Sequence, residues 1–366
     1  MLPANGFSSL LRQSISAHGI FWAVVATYSA VYLTLLRTHP ELVPLNFLLV
    51  AAGFVVVSVP LVFLSMFFMR SYYVARYVKA DHPVPTLVKD IMQYVGSGAR
   101  MANGIPMALI MIIFMYVFIN LKANIPILNP FSWDKYLSDL DKALHFGTQP
   151  WEWLQPLLGY APITFLLNIN YNAWFLVMWM VWVFFAFKEK PSEIRTRFFL
   201  SFFGVWILTG SVLAIVFSSA GPCFYDRLGL TPDPYTGLMA YLRGVNEIMP
   251  VWAVSMQDML WQGHVNKSLI DGISAMPSMH SGSALLFALA GFQVSRLMGR
   301  VLFVHAFLIF IGSVHLGWHY AVDGYVAWAL TLVIWFAMAP VARWWHSRAV
   351  QGDFDRMLAA NIQVLA

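Results

Sequence analysis

The sequence predicts an all-α integral membrane protein of about eight transmembrane helices. Its 366 residues are 60% hydrophobic and 16% aromatic, and only 11% are charged, whereas a soluble domain usually carries about 25% charged residues. Apolar stretches long enough, or nearly so, to cross a hydrocarbon core of about 30 Å recur along the chain. Lys and Arg residues gather in alternate connecting segments, as expected for a chain that crosses a bilayer repeatedly.

Eight apolar stretches define the predicted helices. The first, 21–36, follows a polar, weakly basic N-terminus without a small-residue cleavage site, so we expect a retained span and not a removed signal peptide. The other stretches are 45–69, 105–119, 171–187, 198–218, 278–294, 301–316 and 322–339.

The formal charge of +5 is better explained by membrane topology than by nucleic-acid binding, because no basic cluster accompanies a soluble fold. With a cytoplasmic N-terminus, fifteen of the 22 Lys and Arg residues fall in inside segments and seven in outside segments. This bias predicts that both termini lie in the cytoplasm. The single cysteine, Cys223, excludes an internal disulfide and a multi-cysteine metal site.

Two long outside loops, roughly 120–170 and 219–277, separate the spans. In the first loop, DKYLSDLDKALHF puts four apolar side chains on one helical face and the charges opposite, which predicts a helix lying in the membrane surface. Those apolar side chains are Tyr136, Leu137, Leu140 and Leu144. The segment WEWLQPLLGY, rich in interfacial aromatics, follows. Either these elements cap the bundle or they shape a substrate site.

Two polar motifs interrupt the apolar C-terminal half. SAMPSMHSGSA, residues 274–284, opens the sixth span, and HLGWHYAVDG, residues 315–324, opens the eighth. His319 and Asp323 are four residues apart and share one helical face. Because two spans separate His280 from His319, a helical hairpin returns both histidines to the same end of the bundle. The sequence therefore predicts that two histidines and an aspartate meet there.

These residue types suit phosphoryl transfer. A carboxylate orients a neighbouring imidazole and stabilises its cationic form. Such a histidine can attack phosphorus and form a covalent intermediate, and a second histidine can protonate the leaving oxygen. Singly, each residue has a simpler explanation: a histidine near an interface is commonly a satisfied polar residue, and Asp323 alone could cap a helix.

Candidate phosphate-binding residues flank the histidines. The segment Pro277–Ser278 opens a helix whose free backbone N–H groups would face a phosphate. Ser278 and Ser281 add hydroxyl donors, and Gly282 lets neighbouring helices approach closely. His315, one turn before His319, either binds phosphate or headgroup or is simply a polar residue at the interface.

The two motifs resemble a known family. AMPSMHS at 275–281, followed by HYAVD at 319–323, is similar to the second and third signatures of the type-2 phosphatidic acid phosphatase superfamily. The PSxHSG form with HYxxDG looks more like the inositol phosphorylceramide synthase branch (inositolphosphotransferases) than the phosphatase branch, whose second motif reads PSGH. The resemblance covers about residues 198–345. It implies that His319 is the nucleophile, Asp323 its orienting partner and His280 the acid, with no metal and no cofactor.

The sequence departs from this family in its cations. Lys188 to Arg195 has the spacing of the first family motif, KxxxxxxRP, but Thr196 replaces the proline, and the topology puts both residues on the inside. We interpret them as positive-inside anchors. The family's later arginine is also missing, because the position six before His319 is Ser313.

Charge compensation must then come from other residues. Arg227, just after the fifth span, is the predicted phosphate-binding cation, with Arg243 and Lys267 as weaker candidates in the same loop. Acidic residues of the outer loops could bind hydroxyls of a polar headgroup or be solvated. They are Asp226, Asp233, Glu247, Asp258 and Asp271.

Residues and resemblance together predict a membrane phosphotransferase that uses a covalent phosphohistidine to move a phosphoryl-headgroup from a lipid phosphate ester to a lipid alcohol. A lipid phosphate phosphatase with water as acceptor is the alternative. The expected partners are these lipids and the bilayer, without nucleic acid. We expect a bacterial inner-membrane protein whose site faces the periplasm.

The chain divides into four predicted parts. Residues 1–104 form accessory N-terminal helices, 105–170 the third helix and outer interfacial loop, 171–345 the catalytic helical bundle, and 346–366 a cytoplasmic tail.

Two other classes stay open. A bis-histidine haem site of a membrane cytochrome would draw its ligands from five histidines, although His315 and His319, at one end of one helical region, would not sandwich a porphyrin. A transporter should show repeats with interrupted helices at the midplane, and the sequence has none. The five histidines are His264, His280, His305, His315 and His319.

Overall fold

A computed structural model describes residues 12–266 and 272–365, and the regular elements within these ranges are all helical. In this part of the chain, seven helices are long and apolar enough to cross a membrane, and an eighth apolar helix has 16 residues. Each of the eight predicted apolar stretches coincides with one of these helices. The all-α integral membrane fold is confirmed.

The helices are α1 (Gly19–Thr38), α2 (Phe47–Tyr73), α3 (Pro83–Gly96), α4 (Gly98–Ala123), α5 (Asp134–Leu144), α6 (Pro150–Leu158), α7 (Ala161–Ala186), α8 (Glu193–Ile207), α9 (Thr236–Ile248), α10 (Trp252–Val265), α11 (Met279–Val294), α12 (Arg296–His315), α13 (Ala321–His346) and α14 (Ala349–Leu365). Two of them continue through a π-helical turn: α2 through Val74–Val78, and α8 through Leu208–Val212 into a last turn at Leu213–Val216. Shorter turns are Ile125–Leu128, Pro222–Phe224 and Asp226–Leu228.

Several helices are longer than the apolar stretches that predicted them. The predicted boundaries at 104/105 and 170/171 fall inside α4 and α7. Polar residues at these points remain helical because their side chains are hydrogen-bonded: Asn103 donates to the Ala99 carbonyl at 3.2 Å, and Asn168 accepts from the Ala253 N–H at 3.2 Å. One polar atom of each amide thus finds a backbone partner within the bundle.

Small polar residues begin many of the helices. In each case the side-chain oxygen accepts a hydrogen bond from the N–H three residues on, which satisfies one of the amides that a helix start leaves free. The residues with this role are Asn46, Ser97, Ser192, Ser278 and Ser295.

The first span packs into the bundle. Its Tyr28 hydroxyl lies 2.6 Å from the Ser211 hydroxyl, and the Tyr32 hydroxyl donates to Asn120 at 2.9 Å. The Phe21 ring packs against Phe199 of α8, with centroids 5.8 Å apart. α1 is thus joined by aromatic and polar contacts to α4 and α8.

The short helix α11 lies at the centre of the C-terminal half, against α7, α8, α12 and α13. Its contact with α13 is close at Gly282, where an added Cβ would lie 3.1 Å from the Thr331 hydroxyl oxygen, and that hydroxyl donates to the Gly282 carbonyl at 3.2 Å. The predicted close approach at Gly282 is present. α11 therefore holds its first turn, which includes His280, at one end of a packed bundle.

The surface helix predicted in the first outer loop exists as α5, and two of its carboxylates, which the sequence set opposite the apolar face, are buried against the protein. Tyr136 is 58% exposed and Leu144 is 53% exposed, while the Asp134 and Asp141 carboxylates are buried. These two carboxylates are buried because each accepts backbone N–H groups that would otherwise be unsatisfied. The side chains buried on α5 are Asp134, Leu137, Ser138 and Asp141.

Candidate active site

His319 and Asp323 form a buried pair between α12 and α13. The His319 Nδ1 atom lies 3.2 Å from Asp323 Oδ2, and the same oxygen accepts the Tyr320 backbone N–H at 3.0 Å. Asp323 is fully buried and His319 is 7% exposed. Asp323 therefore has both roles considered from the sequence: it accepts the N–H of the residue that precedes α13, and it orients an imidazole.

His280 lies in the first turn of α11, next to the same pair. Its ring packs on Trp174 and Tyr171 of α7, with centroids 4.3 and 5.0 Å apart. The two motifs are joined directly, because the Ser278 backbone N–H donates to the Asp323 carbonyl at 3.1 Å. The predicted meeting of His280, His319 and Asp323 at one end of the bundle is found.

Both histidine rings line one cavity of about 290 Å³. Its walls come from the end of α4, α7, the segment after α8, α10, the first turn of α11 and the segments before α11 and α13, and most of the wall side chains are apolar. The large apolar ones include Phe175, Phe224, Trp252, Met256, Leu260 and Trp318. A volume near the lower end of the range for ligand pockets, about 300 to 1,000 Å³, fits a single headgroup.

Lys122, at the end of α4, is the cation that sequence reasoning missed. Within residues 12–266 and 272–365 it is the only Lys or Arg that lines the cavity, and it makes no hydrogen bond or ion pair with a described residue. Its position is readable from the segment FINLKANIP, in which a lone lysine ends an apolar span. An ionisable residue in such a place is a functional candidate.

Burial makes His319 a neutral base. Burial, and secondarily the Lys122 ammonium, lower the pKa of His319 to about 3. At neutral pH the ring is therefore uncharged and has an unshared electron pair on one nitrogen, which is the form that a nucleophile needs.

The structure does not bring the predicted phosphate-binding residues to the cavity wall. Ser278 and Ser281 are fully buried, and the Ser278 hydroxyl donates to that of Ser281 at 3.0 Å. His315 is also buried, with Nε2 2.9 Å from the Thr164 hydroxyl. The serines thus shape the start of α11, and His315 belongs to a neighbouring polar contact.

The loop cations lie elsewhere as well. Arg227 forms an ion pair with Asp258 and has no place in the cavity wall. Arg243 lies 3.6 Å from the same carboxylate. The weaker candidate Lys267 and the acidic Asp271 fall outside the described residues.

Lys188 and Arg195 are far from the cavity, as the topology predicted. Arg195 is at the start of α8, whereas the cavity lies beyond the other end of that helix, after Val216. At about 1.5 Å per residue the two points are roughly 30 Å apart. Their KxxxxxxR spacing therefore does not make a phosphate site with His319.

The remaining histidines considered as haem ligands are scattered. His305 Nδ1 lies 2.9 Å from the Asn170 amide oxygen, and the His264 ring packs near Phe131 and Trp261. In the described ranges, no group of three or more His, Cys, Asp or Glu side chains is arranged to hold a metal ion.

Fold and site define an all-helical membrane protein with a histidine–aspartate pair and a second histidine in one cavity. A family model described as the PAP2 superfamily matches residues 135–337, and the chain belongs to this superfamily. Membership indicates a phosphatase-type enzyme with phosphatase or phosphotransferase activity on phosphate esters. The match begins earlier than the motif resemblance and includes nearly all of α5. The chain matches no curated protein and no solved structure.

Proposed function

We propose that the chain is a membrane phosphotransferase of the inositol phosphorylceramide synthase-like branch, which moves a phosphoryl-headgroup from a lipid phosphate ester to a lipid alcohol. The observation that carries the proposal is one cavity lined by His280, Lys122 and the Asp323-paired His319. Apolar walls suit the lipid part of such a substrate and reduce the access of water.

The first step forms a covalent phosphohistidine. The free ring nitrogen of His319 attacks phosphorus, while Nδ1–H donates to Asp323. The bond from phosphorus to the leaving oxygen breaks, and His280 gives that oxygen a proton, so that a neutral alcohol departs. Asp323 stabilises the positive charge that develops on His319.

Phosphate charge needs a partner in this cavity, and Lys122 replaces Arg227 in that role. A lysine ammonium neutralises a phosphate as a compact point charge. The N-terminal turn of α11 adds to this, because the positive end of a helix dipole favours an anion. The missing family arginines are thereby compensated by a residue outside the family match.

In the second step an acceptor hydroxyl attacks phosphorus and displaces the His319 nitrogen. His280, now unprotonated, takes the acceptor's proton and returns to its starting form. Because the first product can leave before the acceptor enters, a cavity of about 290 Å³ serves donor and acceptor in turn. A lipid alcohol as acceptor gives the phosphotransferase.

Polar groups in the wall, Asn172 and Ser274, favour a second candidate. Either could hold a water molecule near phosphorus, and water as the acceptor would make the protein a lipid phosphate phosphatase. The first step is identical in both.

Product analysis separates the two candidates. The purified protein is incubated with a labelled phospholipid, with and without diacylglycerol or ceramide, and His319→Ala serves as the blank. A new labelled phospholipid that requires the acceptor supports the transferase. Release of phosphate or phosphoryl-headgroup regardless of acceptor supports the phosphatase. No product above the blank contradicts both candidates for the lipids tested.

The charge bias supports a bacterial inner-membrane location with both termini inside and the cavity at the periplasmic end. A cysteine placed at the exposed Lys142 should then react with a membrane-impermeant maleimide on spheroplasts, whose inner membrane is intact. One placed at the exposed Lys190 should react only after lysis. The reverse pattern would invert the topology.

A further inference from the structure

The residue that precedes α13, the helix of Asp323, makes no side-chain cap hydrogen bond to the first amides of that helix. The residue before α13 is Tyr320, which lacks the short oxygen-bearing side chain that usually accepts the first amides. Asp141 of α5, about 180 residues earlier, supplies the acceptors. Its Oδ2 accepts the Ala321 N–H at 2.6 Å, and its Oδ1 accepts the Val322 N–H at 2.9 Å. These two amides lie between His319 and Asp323 in sequence.

A second carboxylate of α5 contacts the segment after α8 and the residue that precedes α13. Asp134 accepts the Ala220 N–H at 2.9 Å, the Gly221 N–H at 2.8 Å and the Tyr320 hydroxyl at 2.8 Å. Gly221 has φ +107°, and a Cβ there would lie 2.6 Å from the Trp318 carbonyl oxygen. The segment after α8 is thus held against the residue that precedes His319.

The segment after α8 also contacts the residues that precede His280. The Ser219 carbonyl accepts the Ala275 N–H at 2.8 Å, and the Ser219 hydroxyl accepts the Met276 N–H at 3.1 Å. Ala275 and Met276 come shortly before His280 in sequence. Asp134 is therefore linked to the residue after His319 through the Tyr320 hydroxyl, and to the segment before His280 through the Ala220 amide and Ser219.

Burial makes the charged form of these two carboxylates unfavourable. Burial raises the pKa of Asp141 to about 7, against the opposing effect of the two amides, and burial also raises the pKa of Asp134. The exposed face of α5 has an ordinary pair instead, Lys135 with Asp139 at 2.9 Å. Carboxylates on one helix thus differ sharply: two are buried against the backbone of the cavity, and one faces solvent.

We propose that Asp141 and Asp134 are positioning residues, and that α5 holds the backbone on which His319, Asp323 and His280 are oriented for phosphoryl transfer. Neither carboxylate lines the cavity, so their effect on turnover passes through the two loops. The inference rests on the function proposed for His319 and Asp323.

Asp141→Asn in the full chain tests it, with Asp139→Asn on the same helix as the matched control. The amide side chain keeps one oxygen acceptor but turns an NH₂ group toward one of the two N–H groups. Leaving one of these buried N–H groups without an acceptor should lower kcat by roughly 10- to 100-fold. KM should stay within about threefold, because the cavity wall is intact. Hydrogen exchange at Ala321 and Val322, measured by mass spectrometry on the peptide 316–324, should speed up only in Asp141→Asn.

The outcomes separate the inference from the proposed function. If the wild type turns over and Asp141→Asn has the kcat of Asp139→Asn, α5 does not position the site and the proposed function stands. If the wild type shows no turnover on phosphate esters while exchange still speeds up, the proposed function fails and only the structural contact remains. Should Asp141→Asn not fold, Tyr320→Phe removes one hydroxyl from Asp134. An unchanged kcat there overturns the inference, and a drop of a few fold with unchanged melting temperature supports it.

Discussion

The bundle has buried charges at both ends, and the two ends use them in opposite ways. At the Arg195 end, a guanidinium binds backbone carbonyls. Its Nε donates to the Phe185 carbonyl at 3.0 Å, and its Nη2 donates to the carbonyls of Asn103 at 3.0 Å and Ala186 at 3.4 Å. The same nitrogen lies 3.0 Å from His18 Nε2. A cation thus satisfies the carbonyls that the end of α7 leaves free.

At the cavity end, carboxylates bind backbone N–H groups. Asp141 and Asp323 accept amides at the start of α13, and Asp134 accepts those of Ala220 and Gly221. Each charge has the sign that the local backbone favours: a cation at a helix C-terminus and anions at N-termini.

The two ends of the bundle differ in which side chains remain available to a ligand. Arg195 gives its donors to the protein, and no site histidine is near. The cavity end leaves two imidazoles and the Lys122 ammonium facing an open space. A buried charge by itself therefore does not mark a catalytic site; reactive groups left facing a cavity do.

The largest expected effect is at the cavity end. His319→Ala should lower kcat by at least about 10⁴-fold, because the nucleophile is removed. The melting temperature should change little, because Asp323 keeps its hydrogen bond from Tyr320. Turnover of labelled phospholipid and a thermal melt measure both quantities. His346→Ala, at the exposed far end of α13, is the control. Retained turnover in His319→Ala would move the nucleophile elsewhere.

A smaller loss is expected for Lys122→Gln, which keeps a similar length and polarity but removes the charge. If Lys122 compensates phosphate, kcat/KM should fall by roughly 10- to 100-fold, since hydrogen bonds to charged groups contribute about 1.5 to 3 kcal/mol. Steady-state kinetics measure this, and the exposed Lys142→Gln is the matched control. Equal kcat/KM in the two variants would mean that another cation binds the phosphate.

Much of the fold was predictable, because hydropathy reports span number directly and a helical hairpin fixes which end each motif occupies. His319 and Asp323 could be paired from their spacing of four residues, and His280 from the two intervening spans. Helix limits were less predictable. Asn103 and Asn168 look like ends of apolar stretches, and only the three-dimensional structure shows the backbone groups to which they are hydrogen-bonded.

The cations and carboxylates were harder to predict, because their partners are distant in sequence. Arg227 occupies a plausible position in the chain, yet Asp258 lies near enough to pair with it. Asp134 and Asp141 looked like the solvent face of an amphipathic helix, since periodicity reports polarity and not which backbone amides lack an acceptor. A weak signal was present in Asp134, Ser138 and Asp141, which are polar residues on one helical face.

The smallest expected effect concerns the end of the bundle without the cavity. Lys188 lies over the rings of Phe184 and Phe185, at 5.0 and 5.2 Å, and burial together with the Arg195 charge lowers its pKa. Removing it by Lys188→Ala loses weak contacts and relieves a repulsion, so kcat and KM should stay within about twofold of wild type. Steady-state kinetics of Lys188→Ala, measured in parallel with Lys122→Gln, test this expectation. If Lys188→Ala loses as much activity as Lys122→Gln, the KxxxxxxR spacing has a catalytic meaning after all, and the contrast between the two ends fails.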